Sequence, residues 1–457
     1  MGRTRRKRNI KKAHEFWTCD GNEDIVSLYS WLAENGVRRN NKLMLATFSD
    51  TGRGVLSKKK IQSGEELINL PLNVTINVTT ILMDKQFCDI ILNNSKQCLL
   101  EYKRSVSFQS LMAFYLTFLR HLKDKTKWYI YLESLPSEYT VPYFLPNEFK
   151  QCIYDDILFV VSKQKGIIDS SYGIFEDILF HTRSLDKTII EFKKVFCITD
   201  FEWAYFTVNT RCVFMDLTKL IDFNNIDGSI INLICDNTKI SLCPYLDMIN
   251  HSQNAKNETK LLVSKHIENI NVNRISEHLF CDVNFSIYTK NDFNPYKQVF
   301  ICYGDSHNLK LVTEYGFFLP ANDLDYVSFS FDEVNSFLNL KNLKLSQEQV
   351  AFINSHNLNK ELYIDCKGLS FNFYGLLMVV KYYYDTSKDV SRLIYSAAIG
   401  TNDDNLNRVI TPMIREKLVN MKQSINRLSG ENQSVILNNC IALMNQYVSI
   451  LEKFIKC

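Results

Sequence analysis

A short segment between residues 242 and 252 carries more polar side chains than an apolar strand normally holds. Asp247, Asn250 and His251 stand there among leucine, tyrosine, methionine and isoleucine. Burying a carboxylate, an amide and an imidazole together is costly unless a ligand or the backbone satisfies them. Core packing is the competing interpretation, but an asparagine–histidine pair three residues after an aspartate favours a binding site. No metal is expected here, because no second histidine or cysteine lies at ligand spacing.

Two tyrosine–glycine pairs form a second group of candidate residues. Tyr303 ends the apolar run that begins at Val299, and Tyr315 follows Glu314. A glycine after each tyrosine leaves the phenol accessible and lets backbone carbonyls come close. Without the other segments, a tyrosine in a core strand or at a corner is the preferred interpretation of both pairs.

Two more segments complete the set of candidates. Gly52-Arg53-Gly54 lies between two predicted strands, where glycines allow either a turn or a close approach of a ligand to the backbone. Thr210-Arg211 supplies a hydroxyl and a cation, and Arg211 is a possible partner for a carboxylate such as Asp247. A plain turn and a solvated arginine are the alternatives.

Composition limits the classes of protein to which the chain can belong. It has 457 residues, 46% of them hydrophobic, and a net charge of +3, so it has enough apolar residues to bury a sizeable core. Its 13 cysteines include no Cys-x-x-Cys pair, which argues against a disulfide scaffold or a zinc cluster and indicates reduced thiols. No apolar run approaches the length of a membrane span. We therefore expect a soluble intracellular protein with no membrane partner.

The distribution of charge and hydrophobicity predicts the order of the elements. Seven lysines and arginines crowd the first 12 residues, which predicts a disordered basic tail. Short strands with turns are expected from residue 44 to 72 and again from 208 to 318. Helical spacing marks the region between them, for example Phe108, Leu111 and Tyr115, and helices return from about residue 330 to the end. A break at Ser429-Gly430 predicts a helical hairpin there.

The candidate segments occur in an order that resembles a known family. The Gly-Arg-Gly turn, Asn-Thr-Arg, Pro-x-x-Asp-x-x-Asn-His, Phe-Ile-x-Tyr-Gly and Glu-Tyr-Gly-Phe follow one another as in the split SET domain methyltransferases, in the branch typified by the Rubisco large-subunit lysine methyltransferase. The helical region adds a segment that is similar to the family's insert, Trp128-Tyr129-Ile130-Tyr131-Leu132-Glu133-Ser134-Leu135-Pro136. The resemblance covers nearly the whole chain.

This resemblance implies an α+β fold, a SET β-fold interrupted by a helical insert and followed by an all-helical C-terminal domain. The implied domains are a basic tail (1–20), the N-terminal part of the SET domain (21–80), the helical insert (81–206), the C-terminal SET core (207–320) and a helical substrate-binding domain (321–457). For the last domain, stability alone is the alternative to substrate docking.

The resemblance also implies S-adenosyl-L-methionine as the cofactor and assigns roles to residues. The cofactor-binding residues would be Gly52, Arg53, Gly54, Thr210, Arg211, Asp247, Asn250, His251 and Tyr303. Tyr303 matches the catalytic tyrosine at the methyl-transfer channel, and Tyr315 matches a tyrosine on the substrate side. The family often has an acidic residue before the first glycine, where this chain has Thr51. No metal site is implied.

The implied activity is methyl transfer to lysine in a protein substrate, either a histone tail or another nuclear or cytosolic protein. Methyl transfer to histidine and a non-catalytic chromatin adaptor are the alternatives. The basic N-terminus is either a nuclear import signal, a nucleic-acid contact or a solvated tail. Nuclear and cytoplasmic localisation is expected.

Overall fold

The computed structural model describes residues 17–19, 23–218, 220, 230–263, 283–396, 404–430 and 434–456. The chain folds into two units, the first formed by residues 1–139 and 166–305 and the second by residues 140–165 and 306–457. This boundary lies after residue 305, whereas the sequence places it after residue 320. Residues 140–165, predicted to belong to the insert, group with the second unit.

The first unit contains two main sheets, one mixed and one antiparallel, and a separate pair of short strands. Its strands are β1 (Trp17–Cys19), β2 (Arg38–Arg39), β3 (Leu43–Phe48), β4 (Gly52–Ser57), β5 (Glu66–Pro71), β6 (Cys212–Phe214), β7 (Ile240–Leu242), β8 (Asn250–His251), β9 (Asn257–Val263), β10 (Val283–Thr289) and β11 (Gln298–Ile301). One sheet has the order β1-β3-β4-β11-β8, the other has the order β2-β5-β10-β9, and β6 pairs with β7. Within the first sheet, β8 and β11 run parallel to each other.

The basic tail is shorter than the sequence predicts. The predicted tail reaches residue 20, but Trp17–Cys19 forms β1 and pairs with β3. Trp17 is buried against Ala46 and Leu56, which explains why these residues are ordered. Residues 1–16, which contain the basic cluster, lie outside the described residues.

A helix precedes β2, and a run of helices fills the sequence between β5 and β6. In the first unit they are α1 (Glu23–Glu34), α2 (Val78–Met83), α3 (Lys85–Leu92), α4 (Lys96–Glu101), α5 (Phe108–Leu122) and α6 (Tyr129–Glu133). α7 (Asn147–Lys150) belongs to the second unit, which also takes the start of α8 (Asp155–His181) up to residue 165. α9 (Lys187–Val195) and α10 (Ile198–Arg211) complete the first unit. The helical insert predicted to end at residue 206 therefore continues to Arg211.

An aromatic cluster holds the insert helices together. The Phe114 ring on α5 lies 5.3 Å from Phe87 on α3, 4.4 Å from Phe175 on α8 and 5.9 Å from Phe192 on α9. Phe114 and Phe175 are fully buried. Burying each such side chain contributes roughly 1.5–3 kcal/mol. Phe114 is not among the residues of the predicted apolar face of α5. Those residues are buried as well, including Phe108, Leu111 and Tyr115.

The second unit is mainly helical and has a small sheet that the sequence did not indicate. Its elements from Ser306 onward are α11 (Asn308–Lys310), β12 (Tyr326–Phe329), α12 (Phe331–Leu340), α13 (Gln347–Ser355), β13 (Leu362–Asp365), β14 (Gly368–Leu369), α14 (Phe371–Tyr382), α15 (Val390–Ser396), α16 (Asp404–Leu428) and α17 (Val435–Lys456). The strands form one antiparallel sheet in the order β12-β13-β14. α16 ends at Leu428, which confirms the predicted break at Ser429-Gly430. Among the described helices, none combines the length and apolar composition of a membrane span.

Candidate functional site

The glycine turn at the start of β4 is held against the Asn250 side chain. Asn250 Nδ2 donates a hydrogen bond to the Arg53 carbonyl oxygen at 3.0 Å. A Cβ atom at Gly54 would lie 2.8 Å from Asn250 Nδ2 and 3.2 Å from the Phe48 ring. Gly52 has a φ of +67°, a conformation that glycine adopts without strain. The glycines thus permit both the turn and the close approach of Asn250.

Two further contacts support the same turn. The Arg53 guanidinium donates to the Ser134 carbonyl oxygen at 2.7 Å, which ties the turn to the end of α6. Gln298 Nε2 lies 2.6 Å from the Thr51 hydroxyl. The side chain of Arg53 is therefore engaged with the insert, while its carbonyl oxygen faces Asn250.

Parallel pairing of β8 with β11 brings Asn250 and His251 to Tyr303. The register pairs Asn250 with Phe300 and His251 with Ile301, so Tyr303 follows immediately after the paired region. The Tyr303 backbone N–H donates to His251 Nδ1 at 3.0 Å. The Tyr303 hydroxyl donates to the Ile249 carbonyl oxygen at 2.8 Å. The two segments form one hydrogen-bonded assembly.

A hydrogen bond fixes the tautomer of His251, and burial keeps its ring neutral. Because Nδ1 accepts from a backbone N–H, the ring proton of the neutral imidazole lies on Nε2. The side chain is only 7% exposed. Burial lowers the pKa of His251, and the nearby Asp305 carboxylate partly opposes this effect. His251 is neutral near pH 7.

A buried ion pair anchors the segment that precedes Asn250. Asp247 Oδ2 accepts from Arg211 at 3.2 Å and from the Tyr131 hydroxyl at 3.0 Å. Arg211 also donates to the Asp247 carbonyl oxygen at 3.2 Å. The Asp247 side chain is 0% exposed and that of Arg211 is 18% exposed. The pair joins the end of α10 to the polar segment, as the sequence suggested.

Burial and pairing have opposite effects on the pKa values of this pair. Burial raises the pKa of Asp247, and Arg211 and Tyr131 lower it in part. Burial by itself lowers the pKa of Arg211, but the neighbouring carboxylate raises it above its usual value. Arg211 is thus a permanent cation whose charge is compensated by Asp247. The side chains of Arg211 and Asp247 serve mainly to hold the backbone around Leu246–Met248. This segment is one turn of 3-10 helix, where the sequence indicated a strand.

Thr210 and Tyr315 are the other two predicted site residues. Thr210 is on α10, and its hydroxyl donates to the Phe206 carbonyl oxygen at 2.7 Å, one turn earlier in the same helix. Tyr315 belongs to the second unit, where it ends a π-helical turn, Leu311–Tyr315. Gly316 follows it with a φ of +79°, and a Cβ atom there would lie 2.6 Å from the Thr140 hydroxyl.

Sequence reasoning missed residues that position the site. Tyr131 and Ser134 lie within the insert segment that carried the resemblance, but nothing in that segment identifies Asp247 and Arg53 as their partners. Tyr245 is fully buried and has a φ of +71°. For a residue other than glycine this conformation costs about 1–3 kcal/mol, so the surrounding structure must impose it. The strained residue directly precedes the turn that carries Asp247.

No protein-family model matches the chain. It is 24% identical over 432 residues to "SET domain-containing protein 4" of Artemia parthenogenetica, covering 94% of this chain and 96% of that protein. It is 23% identical over 313 residues to the actin-histidine N-methyltransferase of Gallus gallus, covering 67% of this chain and 45% of that protein. A solved structure described as the SET domain of LSMT bound to lysine and AdoHcy matches with a TM-score of 0.63 and 16% identity over 96% of this chain and 91% of that chain. At this identity the structural match establishes the SET fold.

Replacing Asp247 by asparagine should strongly destabilise the protein. The substitution leaves Arg211 as a buried cation without a counter-charge, which costs about 3–5 kcal/mol. Urea unfolding followed by circular dichroism measures the effect. Asp200→Asn is the matched control, because Asp200 pairs with Arg120 at 3.4 Å and both side chains are about half exposed. Exposed ion pairs of this kind contribute only about 0–1 kcal/mol to stability. Equal losses in the two variants would contradict the anchoring role of the buried pair.

The neutral state of His251 predicts a specific dependence of stability on pH. The folded-state pKa lies below the unfolded value of about 6.5, so His251 destabilises the fold progressively as the pH falls below that value. His251→Asn keeps an acceptor near the position of Nδ1 and removes the titration. Unfolding midpoints at pH 7.5 and pH 5.5 should show a larger acid-induced loss for the wild type than for the variant. An identical loss would show that His251 does not contribute.

Proposed function

We infer that the chain belongs to the split SET domain methyltransferases of the Rubisco large-subunit methyltransferase-like branch. On this premise we propose that it transfers a methyl group from S-adenosylmethionine to a protein side chain. The assembly of Gly52–Gly54, Asn250, His251 and Tyr303 carries the proposal. These residues come from three separate regions of the chain and form one hydrogen-bonded arrangement.

The residues at this assembly fit the proposed cofactor. A Cβ atom at Gly52 would meet no other atom within 4 Å, which leaves room for a ligand to approach the backbone there, whereas the space at Gly54 is taken by Asn250. We propose that the glycine turn holds the methionine part of the cofactor and that Asn250 and His251 hold its amino-acid end and adenine. Arg211 and Asp247 support this surface through their buried ion pair. The Thr210 hydroxyl donates to a carbonyl oxygen of its own helix, so of the predicted residues Thr210 has the weakest case for a contact with the cofactor.

Methyl transfer to lysine requires a neutral amine. A lysine side chain has a pKa of about 10.4, so roughly one in a thousand is neutral near physiological pH, a deficit of about 4 kcal/mol. When bound, the cofactor supplies a methyl group on a sulfonium centre, whose positive charge disfavours the protonated amine. Tyr303 has its hydroxyl fixed on the Ile249 carbonyl oxygen. We propose that this fixed tyrosine orients the amine, which loses its proton to water, and that catalysis relies on alignment.

Lysine is the target that we propose, and histidine is the second candidate. The structural neighbour bound to lysine and AdoHcy supports the first, and similarity to an actin-histidine N-methyltransferase favours the second. We propose that the substrate is a histone or another nuclear or cytosolic protein and that it docks on the second unit, with Tyr315 on the substrate side. Mass spectrometry of methylated peptides that disappear when the protein is removed identifies both the substrate and the modified residue.

Replacing Tyr303 by phenylalanine should lower the rate of methyl transfer about tenfold or more. The variant removes the hydroxyl that we propose orients the amine, and a loss of about 1.4 kcal/mol of transition-state stabilisation lowers a rate tenfold. Incorporation of labelled methyl groups into extract proteins measures the rate, and calorimetry measures cofactor affinity separately. Tyr172→Phe is the control, since its hydroxyl bonds Glu176 at the surface. If labelling by Tyr303→Phe equals that of the wild type, Tyr303 is not the catalytic tyrosine.

We also propose that the basic N-terminus directs part of the protein to the nucleus, leaving the remainder in the cytoplasm. The cluster of lysines and arginines in the first 12 residues supports this proposal. Deleting residues 1–12 should shift a fluorescent fusion toward the cytoplasm. Unchanged nuclear entry would rule out an import role.

A further inference from the structure

Two helices of the insert bring together three side chains that ligate metals. Cys98 lies on α4, and Asp177 and His181 lie near the end of α8. Their sulfur, nitrogen and oxygen ligand atoms all lie within 4.8 Å of one another. The Cys98 sulfur is 4.0 Å from Asp177 Oδ2, and His181 Nδ1 is 3.2 Å from Asp177 Oδ1 and 3.1 Å from the Asp177 carbonyl oxygen. The cluster lies within the first unit and shares no residue with the proposed methyltransferase site.

The spacing along each helix explains why these groups meet. Asp177 and His181 are four residues apart on α8, so they lie on one face of that helix. Cys98 and Tyr102 are also four residues apart, at the end of α4. The Tyr102 hydroxyl donates to Asp177 Oδ2 at 2.9 Å. Each helix thus contributes one pair of polar side chains to a common point, an arrangement that builds metal sites between packed helices.

The charge at this point favours a cation. Within the described part of the chain, the side chains that pair with Asp177 are Cys98, Tyr102 and His181, and neither lysine nor arginine is among them. Among the residues described, the Asp177 carboxylate thus has no lysine or arginine as a pairing partner to compete with a bound cation.

We propose that Cys98, Asp177 and His181 bind a Zn²⁺ ion, with Tyr102 as the hydrogen-bond partner that orients the Asp177 carboxylate. Thiolate, imidazole and carboxylate are the ligands that Zn²⁺ accepts, and water would complete the tetrahedron. Ligand atoms in such a site stand about 3.3–3.7 Å apart, as expected from metal–ligand distances of about 2.0–2.3 Å. The separations of 3.2 and 4.0 Å are to different oxygens of Asp177, and the three ligand atoms lie within 4.8 Å of one another, so side-chain rotations would have to draw them together on binding.

Binding would exchange one proton for the metal. The Cys98 thiol loses its proton to solvent as the sulfur–zinc bond forms, and no oxidant or reductant takes part. The bound ion would fasten α4 to α8 and stabilise this end of the insert, because a ligand that binds only the folded state raises the unfolding temperature. The proposal is independent of the methyltransferase activity.

Titration of the full-length chain, freed of metal by a chelator, tests the site. Calorimetry with zinc chloride should show one tight site, and measurements in two buffers should reveal the release of one proton. Cobalt chloride should produce a sulfur-to-cobalt charge-transfer band in the near ultraviolet. Cys98→Ser and His181→Ala should each weaken zinc binding by on the order of a hundredfold, and Tyr102→Phe by about tenfold.

Cys366→Ser is the matched control, since Cys366 is an exposed cysteine in the second unit; it should leave affinity and the cobalt band unchanged. The half-exposed His181 can be replaced without disturbing the core, so its variant carries the test if Cys98→Ser fails to fold. Absence of zinc binding by the wild type would overturn the proposal. Binding that survives both ligand substitutions, or a cobalt band unchanged in Cys98→Ser, would also overturn it.

Discussion

The parallel pairing of β8 with β11 is the constraint on which the candidate site depends. Each strand is very short, and the register pairs Asn250 with Phe300 and His251 with Ile301. This pairing lets the Tyr303 backbone bond His251 and the Tyr303 hydroxyl reach Ile249. Because β11 also pairs with β4, the same strand brings the glycine turn within reach of Asn250. Such short strands cannot hold their own register, so the elements around them must hold it.

The buried pair of Arg211 and Asp247 supplies part of that support. Arg211 ends α10, and its guanidinium bonds both the carboxylate and the backbone carbonyl of Asp247. The insert contributes a third group through the Tyr131 hydroxyl. A helical insert in the middle of a β fold therefore has a structural role at the site: it carries the residues that fix the turn before Asn250. The positive φ of Tyr245 shows that this turn is held under strain.

Several of these features could be predicted from the sequence. The helical face of α5, the break at Ser429-Gly430 and the pairing of Arg211 with Asp247 are local patterns or follow from complementary charge. The contacts of Tyr131 with Asp247 and of Arg53 with Ser134 could not be predicted, because they join residues more than 80 positions apart. The same reason hid the cluster of Cys98, Asp177 and His181, because Cys98 lies 79 positions before Asp177. Secondary structure follows local patterns, whereas the supporting contacts depend on the complete fold.

Binding of the cofactor at the glycine turn is the central claim, and calorimetric titration with S-adenosylhomocysteine tests it most directly. Gly54→Ala should displace Asn250, because a Cβ atom there lies 2.8 Å from its amide nitrogen. Losing that hydrogen bond should weaken binding about tenfold or more, equivalent to about 1.4 kcal/mol. Gly173→Ala is the control, since a Cβ atom at Gly173 meets no other atom within 4 Å. We expect one site in the wild type and the control, and weakened binding in Gly54→Ala. No binding to the wild type, or equal affinity in all three proteins, would contradict cofactor binding at the glycine turn.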